Sequence, residues 1–107
     1  MNEQRDIFPV GSVVKLYTDK QYYLIIALLV QTKQGDQEVY FEYEATILPW
    51  GLNSDQAVYF NTSDIETVVR EGIIIEPATS NYLTEIKKWI RDNDDVAKGT
   101  TNLDVSK

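Results

Sequence analysis

Between residues 13 and 47 apolar and polar side chains follow the two-residue rhythm of β-strands. Val13–Thr18 reads as a first strand, entered through Pro9 and Gly11. Gln21–Gln31 follows, rich in Tyr, Leu, Ile and Val on both alternating faces, the pattern of a central strand covered on two sides. Asp19 and Lys20 leave a connection short enough for a hairpin. A turn at Lys33–Asp36, marked by Gly35, leads into Glu38–Ile47. There Val39, Phe41, Tyr43, Ala45 and Ile47 share one face, and Tyr40, Glu42, Glu44 and Thr46 share the other. This predicts a strand with one buried and one solvated face. A loop with Pro49, Trp50, Gly51, Asn53 and Ser54 precedes a short fourth strand, Ala57–Phe60.

The period then changes. Ile65, Val68 and Val69 are spaced for one face of a helix over Asn61–Arg70. Ser63 at the N-cap with Glu66 three residues on reads as a capping box, Asp64 suits the positive end of the dipole, and Gly72 ends the segment. Ile73–Ile75 is too apolar for a free loop and is expected as a last short strand, closed by Pro77. A second helix is expected over about Ser80–Asp92, with Tyr82, Leu83, Ile86, Trp89 and Ile90 on one face and Glu85, Lys87, Lys88 and Arg91 off it. The predicted fold is α+β, an antiparallel four- to five-stranded sheet with two helices packed on one face or end. Residues 1–92 form the single domain of this reading and residues 93–107 a flexible C-terminal tail.

Composition narrows the function classes. The chain has 107 residues, 43% of them hydrophobic and 25% charged, which suits one soluble domain and excludes disorder as its main state. The longest uninterrupted apolar stretch, Tyr22–Val30, falls far short of the roughly 20 residues a membrane helix needs. The polar start MNEQRD lacks the apolar core of a secretory signal, so the expected location is cytoplasmic. With no Cys and no His, disulfides, thiolate nucleophiles, His-based triads and imidazole metal sites are all excluded. A formal net charge of −7 repels phosphate backbones and anionic lipid, so neither nucleic acid nor membrane is an expected partner.

Few residues carry candidate chemistry. Glu42 and Glu44 project from one face of one strand, a spacing that suits an acid and base pair, but charged alternation is also what a sheet with one wet side displays. Asp92, Asn93, Asp94 and Asp95 resemble the opening of a calcium loop, yet Ala97 and Leu103 occupy the places of its obligatory Gly and bidentate Glu. Ser12 has no His to activate its hydroxyl. Neither a catalytic residue, a metal nor a cofactor is therefore expected. Tyr40, Glu42, Glu44 and Trp50 are the candidates for a protein-binding surface, Trp and Tyr being the residues in which interface hot spots are enriched.

Three segments carry a family likeness. PVGSVVKL followed by YYLIIALLV, then YEATILPWGL, then VYFNTSDIETVVREG together resemble a small uncharacterised domain family of Gram-positive bacteria. The likeness covers about residues 8 to 76. Pro9, Gly11 and Ser12 fall on its opening motif, Tyr43, Pro49 and Gly51 on its middle one, and Asn61, Asp64, Ile65, Val68 and Gly72 on its last. Trp50 stands where that family usually has an acidic residue, and Ala45–Leu48 is more apolar than its common form. Members accompany LXG-type effectors and WXG-like helical proteins in type VII secretion gene clusters. The resemblance implies a non-enzymatic accessory or chaperone-like factor that binds such an effector or its small helical targeting partner. An immunity protein neutralising a cognate toxin is the alternative.

Overall fold

The computed structural model describes residues 7–19, 21–49 and 57–100. Among them are β1 (Val13–Leu16), β2 (Tyr22–Gln34), β3 (Gln37–Leu48), β4 (Val58–Phe60), β5 (Ile65–Arg70), α1 (Ala78–Asp92) and β6 (Ala97–Lys98). The fold is a mostly antiparallel sheet with one helix, so the expected α+β layout with two helices is overturned. The sheet runs β4-β3-β2-β1-β5, and β6 pairs with β3 in parallel.

The long β2–β3 hairpin is the spine of the sheet. Gln34 pairs with Gln37 across a two-residue loop, and Gly35 takes a φ of 66°, the left-handed region that tight hairpin loops use. The register slips by one between Ile25 and Ala27, so Ile26 is a bulge. Tyr23 and Ile25 before the bulge and Leu28 after it are therefore the buried residues of β2. They join Val14, Leu16, Tyr43, Ala45 and Phe60 in one core, closed by Ile7 and by Ile86 of the helix.

Residues expected as the first helix form a 3₁₀ turn at Thr62–Asp64 and then β5. The apolar spacing of this segment has a different cause. Two register irregularities in the β1–β5 ladder place Ile65 opposite Leu16 and Val68 opposite Val14, so core-facing residues lie three apart within a strand. Ile65, Thr67, Val68 and Val69 are all β-branched, which favours the pleated form over a helix. The cap also moves: the Asn61 N–H donates to Asp64 Oδ2 at 2.9 Å, and the Asp64 N–H to the Asn61 carbonyl at 2.9 Å. Ser63 and Glu66 are exposed. Ile73–Ile75, expected as a strand, belongs to none.

The second expected helix is α1. In its first turn both the amide and the hydroxyl of Ser80 donate to the Glu76 carboxylate, and the Asn93 side chain donates to the Trp89 carbonyl at its end. Ile86 is buried, and Leu83 and Ile90 pack beside it on the core. Beyond the helix, β6 lies within the segment expected to be a tail, and Thr100 exchanges two hydrogen bonds with the Gln34 side chain, at 2.8 and 3.0 Å.

Candidate functional site

β3 does not have the solvated face that alternation implies. Tyr40, Glu42 and Thr46 are buried along with Val39, Phe41, Tyr43 and Ala45. Tyr40 packs edge-on against Trp89 of α1, ring centroids 5.5 Å apart, and burial pushes its hydroxyl above the ordinary tyrosine range, with Glu42 adding to the rise and Lys98 opposing it. Glu44 is half-buried, opposite Ala27 on one side and Tyr59 on the other. Trp50 lies outside the described residues. Of the three described candidates, Tyr40 and Glu42 are buried and Glu44 is half-buried.

Glu42 instead anchors a polar clasp. Its Oε1 accepts the Thr62 N–H at 2.7 Å and its Oε2 pairs with Lys98 Nζ at 3.3 Å. Buried Asn61 spans the same region, its Oδ1 accepting the Glu42 N–H at 3.0 Å and its Nδ2 donating to the Gly99 carbonyl at 2.9 Å. Tyr43 Oη accepts the Phe8 N–H and lies 2.9 Å from Thr62 Oγ1. Both oxygens of this carboxylate are engaged in holding the 3₁₀ turn and β6. Among the described residues no group of three or more Asp or Glu could hold a metal ion.

A second clasp sits at the far side of the sheet. The turn Pro9–Ser12 presents the buried Ser12 hydroxyl, which donates to the Pro9 carbonyl at 2.8 Å and accepts the Gly72 N–H at 3.0 Å. Gly72 lies so close that a Cβ there would meet the Val10 carbonyl oxygen at 2.3 Å. Pro9, Ser12 and Gly72 thereby hold the two turns together.

This clasp presents the most exposed apolar surface among the described residues. Directly after Gly72, Ile73 and Ile75 are 79% and 64% exposed, and Ile74, Val10 and Tyr82 are exposed as well. Between them lies a groove of about 460 Å³, lined by Pro9, Val10, Leu28, Ile73, Ile75, Tyr82 and Leu83 among others. Contiguous exposed apolar residues of this kind mark interaction sites on soluble domains. The signal was present in the chain as the apolar run Ile73–Ile75, but a run of three is equally the pattern of a buried strand.

No described helix is long and apolar enough to cross a membrane. No curated protein and no solved structure matches the chain significantly. The family model of a domain of unknown function, DUF4176, matches residues 7–76, from the first core residue through the Ser12–Gly72 clasp and the exposed isoleucines. Since that match spans well over half of the 107 residues, the chain belongs to the DUF4176 family.

Proposed function

We propose that this protein is a non-enzymatic, cytoplasmic accessory factor that binds another protein, and that its partner is an LXG-type effector of type VII secretion or the effector's small helical targeting protein. The observation that supports binding is the exposed Val10, Ile73, Ile74, Ile75 and Tyr82 surface with its groove. Fully burying an isoleucine side chain is favourable by about 1.5–3 kcal/mol, so leaving three in water is a standing cost that a partner relieves. Glu42, the best-placed acid for catalysis, is committed to Thr62 and Lys98, which supports a role without bond chemistry. The secretion context comes from the sequence resemblance.

Co-purification with the effector and the helical protein encoded beside it tests this reading. Ile73→Asp and Ile75→Asp are each expected to weaken capture at least about tenfold, the equivalent of about 1.4 kcal/mol. Capture unaffected by both substitutions refutes the surface, and capture of neither protein refutes the function. The net charge of −7 favours a second reading, an immunity protein that covers a basic toxin site. Rescue of cells from the isolated toxin domain selects it; unchanged toxicity together with effector capture selects the accessory factor.

A further inference from the structure

The exposed isoleucines have an open backbone as well as open side chains. Gly72 is tied inward, its N–H on Ser12 Oγ. Ile75 is tied to the helix, its N–H on Thr79 Oγ1 at 2.8 Å and its carbonyl accepting the Thr79 N–H at 2.7 Å. Between these two anchors the amides and carbonyls of Ile73 and Ile74 have no hydrogen-bond partner among the described residues. The segment continues directly from β5, the terminal strand of the sheet. A tethered stretch of chain with free backbone groups beside an apolar groove is what strand addition requires: main-chain hydrogen bonds supply affinity, and alternate side chains enter pockets.

We propose, resting on the protein-binding reading above, that Gly72–Ile75 takes up an extended segment of the partner as an added strand. That segment is apolar at alternate positions and carries lysine or arginine at its ends. A docked helix satisfies its own amides internally, so it would bury the Ile73 and Ile74 backbone groups without partners. An extended segment pairs with whichever of the two residues faces it, since successive residues of an extended chain turn their N–H and C=O to opposite edges. The basic ends follow from the exposed carboxylates of Glu66 and Glu76 on either side of this uncharged segment, on a chain of net charge −7. The same carboxylates, on a chain of net charge −7, repel a second copy. β5 itself is guarded by its two irregularities and by Glu66 and Arg70, whereas Gly72–Ile75 carries no charge.

The test titrates the full chain with a synthetic peptide, Lys-Val-Thr-Val-Thr-Val-Lys, and follows amide hydrogen exchange at Ile73 and Ile74 by NMR. Three controls are run: the peptide N-methylated at every internal residue, a version with glutamate at both ends, and an amphipathic helical peptide of equal charge. Expected are at least tenfold slower exchange at one of Ile73 and Ile74 with the first peptide, at least tenfold weaker binding of the methylated and acidic versions, and loss of binding in Ile73→Asp. Absence of binding, unprotected Ile73 and Ile74 amides, equal binding of the methylated peptide or tighter binding of the helical one each overturns strand addition. Equal binding of the acidic peptide overturns the basic ends. If the effector co-purifies but these amides exchange as fast in its complex as in the free chain, strand addition fails and the protein-binding reading stands. If nothing co-purifies, that reading fails.

Discussion

Replacing Gly72 with alanine separates two reasons for which a chain keeps glycine. Gly72 does not have a left-handed φ, so alanine fits its backbone, and on chain entropy alone Gly72→Ala stabilises by about 0.4–1 kcal/mol. Its neighbours reverse that sign. The new Cβ would lie 2.3 Å from the Val10 carbonyl oxygen and 3.0 Å from both Gly11 C and Ser12 N, all of them backbone atoms of a turn pinned by the Ser12 hydroxyl. Forcing that contact open costs about 1–3 kcal/mol as overpacking. Breaking the Gly72 N–H to Ser12 Oγ bond adds about 1 kcal/mol. Set against the entropic gain, the net loss is about 1–3.5 kcal/mol, which lowers the thermal midpoint by roughly 4–28 °C at about 4–8 °C per kcal/mol. Gly35→Ala is the comparison, because Gly35 has a φ of 66° but nothing within 4 Å of a Cβ, so alanine there costs only about 1–2 kcal/mol of backbone strain. Urea unfolding followed by tryptophan fluorescence measures both variants. No loss at Gly72, or the gain that chain entropy alone predicts, refutes the claim that close approach of the two turns fixes this residue.

Glu42→Gln keeps an oxygen for the Thr62 N–H but turns its NH2 donor toward half-exposed Lys98, which can swing into water, so it is expected to cost about 1 kcal/mol. Glu42→Ala removes that oxygen too and is expected to cost about 1–3 kcal/mol more in the same unfolding assay. Thr46 Oγ1 is buried without a partner among the described residues, so Thr46→Val is expected to stabilise by about 1 kcal/mol; a loss of that size would contradict it. The Tyr23 hydroxyl is pushed well above its ordinary value of 10.0 by burial, then by its hydrogen bond to Asp19 and that carboxylate's charge. Its stabilising effect is full below that ordinary value and is lost as pH rises toward the folded-state value, because the unfolded chain releases the proton first. Denaturation curves collected above pH 10 should therefore show stability falling with a shallower slope in Tyr23→Phe, by up to one proton per molecule.

Legibility in the sequence followed how far each pattern depended on neighbours. The hairpin was readable because Gly35 and its flanking alternation are local, and α1 because its apolar stripe is what a helix on a sheet needs. β5 was not, since a doubly irregular strand places Ile65 and Val68 on the core at the spacing of a helical turn, and only the β-branched run told the two apart. On β3 the alternation was real but its meaning was not local: Tyr40 is covered by Trp89, 49 residues on in the chain, and Glu42 by Thr62 and Lys98. Tyr40 and Glu42 are buried for that reason. Ile73–Ile75 was visible as an apolar run, yet whether water or protein meets it is settled by the fold alone.

The clasp at Asn61 has a consequence for how the chain can be cut. The family match stops at residue 76, but Asn61 reaches past that boundary to Gly99, Glu42 to Lys98, and the core to Ile86. A fragment trimmed at residue 76 would retain every shared motif, yet it would bare Leu28 and Tyr40 and strand two buried polar side chains. Sequence likeness and the smallest foldable unit therefore have different ends in this protein, and the helix with its short terminal strand belongs to the second.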